Sequence, residues 1–412
     1  MKRERRQRQA SPITYRQIKM KNIIPLPQLA IGWLTMFLVG TELFVLSPLL
    51  PILCASYGIS AKLAGLCITA FAVAYVVSAP LFGHLSDRIG RRRVLICCLL
   101  AFGAANLCTA TAPTLPALLA ARLFAGAAAG GVSPTVYALV SHVAPPDRRA
   151  SWLALSVSGL LAALAFGASL GGLIGAYLGW TVVFSGLAGF GVIFAWLNMW
   201  VWPSAHHHPG VPRPTLEPLP KASLARRLAP TIVWSTGLYG VYTYLGIGLN
   251  EVGFSAAQVA RAIMFYGCGA IAGTLVGGRL ADRLGAKSAA GISLAGLSVC
   301  FLLLLPALRY GMLVDPILGV SSAVAQFFFP AQQARLANDF PTRRSTVLAW
   351  NNSALFLGIS LGSLIAGQAI TSGSFQTALT ICAGIVFGGC MINGMLVPDG
   401  TRGQTGPGEP QT

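Results

Sequence analysis

The apolar residues of this chain are grouped into long runs, separated by short segments rich in Gly, Pro and charged residues. Each run is about 20 residues long, which as an α-helix spans the ~30 Å hydrocarbon core of a bilayer. The pattern therefore predicts an all-α polytopic membrane protein. Twelve spanning helices are predicted, beginning near Leu29, Leu63, Val94, Leu118, Trp152, Thr181, Pro230, Val259, Ala289, Met312, Thr346 and Phe375.

The polar segment between the second and third runs recurs in the second half of the chain. We call residues 83–93 the first basic motif and residues 278–287 the second basic motif. A repeat at a fixed offset indicates a duplication, so we predict two pseudo-symmetric bundles of six helices. Five residues recur 195 positions later: Gly83, Asp87, Arg88, Gly90 and Arg92 correspond to Gly278, Asp282, Arg283, Gly285 and Lys287.

Composition divides the chain into five parts. Residues 1–28 are a basic tail, 29–202 the N-terminal bundle, 203–229 a proline-rich linker, 230–397 the C-terminal bundle and 398–412 a second tail. The linker contains three adjacent histidines, to which we assign no metal because the segment is predicted to be exposed and rich in proline. The nine cysteines contain no C-x-x-C pair and are predicted to be small buried residues.

The charges indicate a membrane location and an orientation. Mean hydropathy is +0.68, and only 10% of the residues are charged, too few to cover a water-facing surface. Of the 29 Lys and Arg residues, 25 fall in the tails and in the loops on one side of the predicted spans. By the positive-inside rule we expect both termini to be cytoplasmic, in the cell inner (plasma) membrane. The net charge of +18 thus indicates topology and not nucleic acid binding.

Two charged residues lie inside predicted spans. Glu42 is in the middle of the first run, and Arg122 is one or two turns into the fourth. Charges within hydrocarbon are costly, and they typically pair with each other or line a path for ions or protons. The predicted depths of the two side chains differ by less than two helical turns, which suggests a pair. The alternative is that Glu42 is a structural carboxyl bonded to a neighbouring helix.

The second half of the chain lacks this charge pair at the repeated positions. At an offset of 195, Glu42 corresponds to Gly237 and Arg122 to Ile317. Uncharged polar groups occur in its spans instead, and we predict that several of them line a substrate cavity. These candidates are Tyr239, Tyr242, Gln326, Asn351 and Asn352.

Three patterns resemble a known family. The first basic motif, read as Gly83-x-x-x-Asp87-Arg88-x-Gly90-Arg91-Arg92, is similar to the signature between helices 2 and 3 of the major facilitator superfamily. More narrowly, Gly40-Thr41-Glu42 and Asn351-Asn352-Ser353 resemble the twelve-span drug:proton antiporter branch and its relatives that export sugars, nucleosides or arabinose.

The resemblance implies roles for particular residues. In that branch the fourth helix carries an arginine followed four residues later by glycine, as Arg122 and Gly126 do, which implies that Arg122 takes part in proton coupling. The fifth helix of the branch has a glycine-rich antiporter motif that contains proline. Here the run from Gly167 to Gly172 keeps the glycines and lacks the proline.

These patterns together predict a monomeric secondary transporter and not an enzyme. Two bundles that rock about a midplane cavity give alternating access, and we expect proton-coupled efflux of a small organic solute such as a drug, sugar or nucleoside. The expected partners are the solute, protons and lipid, with a proton gradient in place of a cofactor. The alternatives are an uptake symporter and a non-transporting sensor or scaffold. Conformational gating is assigned to Gly83, Asp87, Arg88, Gly90, Arg91, Arg92, Gly278, Asp282 and Arg283.

Overall fold

The structure is a computed structural model that describes residues 26–145, 148–203, 221–341 and 343–395. In this part of the chain every regular element is a helix, which confirms the predicted all-α class. The helices are α1 (Leu26–Phe44 and Leu46–Tyr57), α2 (Ala61–Ile89), α3 (Arg91–Ala110), α4 (Leu115–Val143), α5 (Arg149–Ala162, a π-helical turn Ala163–Gly167, and Ala168–Leu178), α6 (Trp180–Val201), α7 (Lys221–Glu251), α8 (Ala256–Leu284), α9 (Ala286–Ala307), α10 (Gly311–Leu313, Val314–Ala325 and Phe328–Asp339), α11 (Arg344–Ser372) and α12 (Phe375–Met395).

Eleven of the described helical spans are long and apolar enough to cross a membrane. Helix α7 falls outside this group because Ser, Thr, Tyr and Gly interrupt its apolar residues. Nearly every side chain of α7 between Pro230 and Leu249 is nevertheless buried or half-buried against other helices. A helix surrounded by protein does not need a lipid-facing apolar surface, so its composition is consistent with a central position.

The boundary between the linker and the second bundle differs from the predicted one. Helix α7 begins at Lys221, whereas the predicted span begins near Pro230. Proline is tolerated in the first turns of a helix, but the helix here continues on its N-terminal side for more than two turns. Residues 221–229 therefore belong to α7. The tails up to residue 25 and from residue 396, and the linker histidines at 206–208, lie outside the described residues.

Single glycines join several consecutive helices. Gly90 is the only residue between α2 and α3, and Gly285 is the only residue between α8 and α9. Their φ angles are +100° and +84°, a region that L-residues with a side chain rarely adopt. Gly90 and Gly285 are therefore required by the backbone of a one-residue link.

The helix boundaries follow the repeat found in the sequence. Helix α2 and helix α8 are both 29 residues long, and α8 begins and ends 195 positions after α2. In each half the corresponding helices pack alike: α2 against α4 as α8 against α10, and α3 against α6 as α9 against α12. The halves meet through α2 and α11, through α5 and α8, and through α1 and α7.

Candidate functional site

The structure brings together the two charged residues of the predicted spans. Arg122 on α4 donates from Nη1 to Oε1 of Glu42 on α1, and both side chains are fully buried. The exposed fraction is 0% for each, so the pair is shielded from water. Its attraction is therefore screened far less than that of a surface ion pair.

Glycines allow the backbone approach that places this pair. A Cβ atom added at Gly126, one turn after Arg122, would lie 2.1 Å from the carbonyl oxygen of Phe71 on α2. A Cβ atom at Gly40, just before Glu42, would lie 2.7 Å from the Cβ of Ala163 on α5. The absence of a side chain at Gly126 thus lets α4 approach α2 closely, and the absence of one at Gly40 lets α1 approach α5.

Two aromatic rings enclose the guanidinium of Arg122. Its Cζ atom lies 4.9 Å from the ring centroid of Phe71 and 5.6 Å from that of Phe184. A cation within about 6 Å of an aromatic centroid is attracted by the negative face of the ring. The rings therefore compensate part of the cost of burying the cation, and they also exclude water from the ion pair.

The pair is only partly satisfied by hydrogen bonds. Among the described residues, Oε2 of Glu42 and both Nε and Nη2 of Arg122 have no hydrogen-bond partner. Asn106 on α3 is fully buried beside the Glu42 carboxyl, and its amide nitrogen donates to the Phe102 carbonyl at 3.0 Å. The site therefore has free acceptor and donor positions beside a single charge-assisted bond, an arrangement that can accept a proton on the carboxylate.

The described part of the second half also contains charge pairs, and they lie near the ends of helices. Arg261 on α8 donates to Asp315 in the first turn of the Val314–Ala325 segment of α10, at 2.6 Å, and the Arg261 side chain is 50% exposed. Arg227 on α7 pairs with Asp339 at the last residue of α10. Neither pair is fully buried as Glu42 and Arg122 are.

The five residues proposed for the cavity are dispersed. Tyr239 is half-buried and stacks on Phe44 of the other half. Asn351 is fully buried and accepts a hydrogen bond from Thr231 at 2.7 Å, so it ties α11 to α7. Asn352 is half-buried, and Gln326 lies buried at the interruption of α10.

Tyr242 occupies a different kind of position. Its hydroxyl donates to the Phe44 carbonyl at 2.9 Å, and its backbone carbonyl accepts from Ser47 at 2.5 Å. Both bonds join α7 to α1, and so they join the two halves of the molecule. Tyr242 therefore lies at the junction of the halves, where its ring also contacts Tyr266 of α8 with centroids 5.3 Å apart.

The contacts between the halves lie on one side of the molecule. We call the side where α2 meets α3 at Gly90 the basic face, and the other side the opposite face. Towards the opposite face, Lys62 donates to Gln368 at 2.6 Å and Ser363 donates to the Gly65 carbonyl at 2.9 Å. Closer to the middle of α2 and α11, the rings of Tyr75 and Phe356 stack with centroids 3.6 Å apart. The halves are thus closed from the opposite face to the midplane.

The basic motifs lie where the halves are apart. Gly83 follows Gly65 by 18 residues, five full helical turns, so both face the second half. Gly65 would meet Tyr244 there within 1.9 Å if it had a Cβ atom, whereas a Cβ atom at Gly83 has no described atom within 4 Å. Gly278 is likewise open, three turns beyond Gly267, which packs on α5. At these two glycines the described parts of the halves are not in contact, so the structure is more open here than at the opposite face.

Other residues of the motifs support the ends of the helices. Arg91 donates to the Ala138 carbonyl of α4 at 3.2 Å, and Arg92 donates to the Met199 carbonyl of α6. Arg88, Asp282 and Arg283 are exposed. The backbone of Asp87 belongs to the last turn of α2, and its side chain lies outside what the structure describes. The aromatic enclosure of Arg122, the amide of Asn106 and the Tyr75–Phe356 stack were not predicted from the sequence.

Comparisons with known proteins agree with this architecture. The profile of the Major Facilitator Superfamily matches residues 32–306 and 232–411. The uncharacterized MFS-type transporter YceJ of Bacillus subtilis is 27% identical over 362 residues, covering 85% of this chain and 91% of that protein. A chloramphenicol resistance protein of Streptomyces lividans is 30% identical over 269 residues, covering 63% of this chain and 67% of that protein.

A solved structure shows the same fold. A bacterial homologue of the human lysosomal transporter Spinster, in an inward-facing and occupied conformation, superposes with a TM-score of 0.73 at 16% identity and covers 89% of this chain and 96% of its own. The two matched ranges, the basic motifs and these relatives together confirm the resemblance to the superfamily seen in the sequence. The protein is a transporter and not an enzyme, and the chain belongs to the major facilitator superfamily.

Proposed function

We propose that this transporter couples the efflux of a small organic solute, such as a drug, a sugar or a nucleoside, to the entry of protons by alternating access. The observation that carries the proposal is the fully buried pair of Glu42 and Arg122. A charge pair at this depth is expensive to maintain, because each ion loses its hydration and the pair regains only part of that cost. A structural role alone would be served by apolar residues.

The chemistry of the pair provides a switch between two charge states. With Glu42 ionised, its Oε1 accepts from Arg122. A proton on the carboxyl removes its negative charge and weakens that bond, which leaves the guanidinium held by the rings of Phe71 and Phe184. Proton and arginine thus compete for one carboxylate, and a bound solute that favours either state couples its own binding to the proton.

The basic motifs supply the gate in this scheme. Gly83 and Gly278 face the separation between the halves at the basic face, where there is space for the other half to approach. Asp87 and the neighbouring Arg88, with their repeats, lie at the same ends of α2 and α8, positioned to form charged contacts when the basic face closes. Closure there and opening at the opposite face would complete the transport cycle.

The direction and the location follow from the distribution of charge and from one relative. The excess of Lys and Arg on the basic face supports a cytoplasmic basic face, with both termini inside and the protein in the inner membrane. The similarity to a chloramphenicol resistance protein supports efflux of a drug-like solute. We propose that the protein functions as a monomer in lipid.

The proposal is tested with purified protein in liposomes. A thermal-shift screen of drugs, sugars and nucleosides first identifies a stabilising solute. Wild-type protein should then concentrate that solute when a pH difference is imposed. In Glu42→Gln this uptake against a gradient should fall by at least about 100-fold, since a neutral amide cannot carry a proton. Counterflow, which requires no net proton movement, should persist in part.

A matched variant separates coupling from general damage. Asp315→Asn neutralises the acidic partner of Arg261 near the opposite face and should leave proton-driven transport within about twofold of wild type. Accumulation of solute by Glu42→Gln under a pH difference would refute the proposed carrier. Transport in the same direction as protons would establish the uptake symporter, and no flux of a bound solute under any gradient would indicate a sensor or scaffold.

A further inference from the structure

A proline in α1 leaves one backbone acceptor without its helical partner. In a regular helix the N–H of residue 48 would donate to the carbonyl of residue 44, but Pro48 has no N–H. Helix α1 is interrupted one residue after Phe44, at Val45. The Phe44 carbonyl is therefore available to another donor, and in this structure the Tyr242 hydroxyl from α7 donates to it at 2.9 Å.

The reciprocal bond makes this contact a two-point connection. Ser47, one turn after Phe44, donates its hydroxyl to the Tyr242 carbonyl at 2.5 Å. Around these bonds the Phe44 ring meets Tyr242 edge-on, with centroids 5.8 Å apart, and Gly246 allows close approach, since a Cβ atom there would lie 2.4 Å from the Ser47 carbonyl. Both bonding hydroxyls are in buried side chains.

The connection lies on the pseudo-symmetry axis that relates the two halves. Ser47 and Tyr242 are 195 positions apart, which is the offset of the internal repeat. Phe44 and Tyr239, whose rings stack at 6.4 Å, have the same separation in sequence. Residues that contact their own repeats must lie close to the axis. A bond formed there joins the two halves directly.

From this geometry we propose that Tyr242 is a positioning residue whose hydroxyl holds the opposite face closed. When the halves separate at the opposite face, the Phe44 carbonyl loses this donor and takes water instead. When they close, water is expelled and the Tyr242 hydroxyl replaces it as the hydrogen-bond donor to the Phe44 carbonyl. Removing the hydroxyl therefore penalises the closed state, where the carbonyl is buried and unpaired, and has little effect on the open state.

The same contact connects the gate to the charge pair. Glu42 lies two residues before Phe44 on the first segment of α1, so a shift of that segment on loss of the Arg122 bond also moves the carbonyl that Tyr242 holds. The inference goes beyond the proposed function, because a closed opposite face is needed in an uptake cycle and in an efflux cycle alike. Its test requires neither a solute nor a proton gradient.

The test measures opening of the opposite face with a cysteine that the chain already contains. Cys54 is half-buried and lies two turns after Ser47 on the same side of α1, the side that faces α7. The full-length protein in lipid nanodiscs is treated with a polar maleimide, and modification of Cys54 is quantified by peptide mass spectrometry. Tyr242→Phe should increase the labelling rate about tenfold, the effect expected for a buried carbonyl left unpaired.

Two controls distinguish the hydroxyl from the ring. Tyr239→Phe removes a neighbouring hydroxyl for which no hydrogen bond is found among the described residues, and its labelling rate should stay within about twofold of wild type. Pro48→Ala restores an N–H to α1 that can donate to the Phe44 carbonyl. In that background, Tyr242→Phe should change the labelling rate by less than about twofold, because the carbonyl keeps a donor.

The labelling rates of these variants include outcomes that would overturn the proposal. An unchanged rate in Tyr242→Phe overturns the proposal, and so does a tenfold increase that persists in the Pro48→Ala background, since the effect would then come from ring packing. If Tyr242→Phe does not fold, Ser47→Ala removes the reciprocal bond and should itself raise the labelling rate several-fold. An unchanged rate in a folded Ser47→Ala protein would then overturn the proposal.

Discussion

A single methyl group at Gly126 is expected to destabilise the protein and to disturb the charge pair. The added Cβ atom would lie 2.1 Å from the Phe71 carbonyl oxygen and 2.8 Å from two other backbone atoms of Phe71. Ordinary contacts begin at 3.4 Å, so α4 and α2 must separate by about 1.3 Å at this point. Backbone cannot rotate away as a side chain can, and overpacking of this kind typically costs about 1–3 kcal/mol.

The assay compares Gly126→Ala with Gly83→Ala, because both glycines lie in helices and a Cβ atom at Gly83 has no described atom within 4 Å. We expect a lower melting temperature in detergent for Gly126→Ala alone. We also expect weaker solute binding, since Phe71 borders Arg122 at 4.9 Å and moves with α2. Equal melting temperatures for the two variants would refute the view that close approach of α2 and α4 holds this site together.

Two further predictions concern the charge pair and the gate. Arg122→Ala removes the charge that favours ionised Glu42, so the acidic limb of the transport pH profile should move to higher pH by at least about one unit, which corresponds to ~1.4 kcal/mol. The same change on a Glu42→Gln background should cause no such shift. An unmoved limb in a folded Arg122→Ala protein would make Arg122 a structural residue. Gly83→Val should leave the melting temperature unchanged and reduce transport at least about tenfold, because the new side chain would contact the other half only when the basic face is closed. Full activity of this variant would contradict gating at Gly83.

The meeting of Glu42 and Arg122 was accessible from the sequence. Both are charges within apolar runs, their depths follow from the rise of 1.5 Å per residue, and the cost of an unpaired charge in hydrocarbon favours a pair. The repeat likewise gave the equivalence of α2 and α8, because duplicated elements of equal length keep the same offset. Both predictions require only the position of a residue along its own helix and not the direction in which its side chain points.

What the sequence did not reveal depends on which way a side chain points across helices. The sequence does not show that the predicted cavity residue Asn351 accepts a hydrogen bond from Thr231 on α7, although a buried amide is generally hydrogen-bonded. Nor does the sequence show that the hydroxyl of Tyr242, another predicted cavity residue, donates to the Phe44 carbonyl. Pro48 was the available signal, since a proline inside a helix frees the carbonyl four residues earlier, but it does not identify the donor.

The fixed length between glycines has a consequence for how this chain can vary. Gly65 packs against the second half, and Gly83 faces the same way five turns later. Inserting or deleting one residue between them would rotate the following part of α2 by about 100° about the helix axis, so that the first basic motif would turn away from the second basic motif. The one-residue link at Gly90 offers no slack to correct such an error. Length changes within α2 and α8 should therefore be selected against.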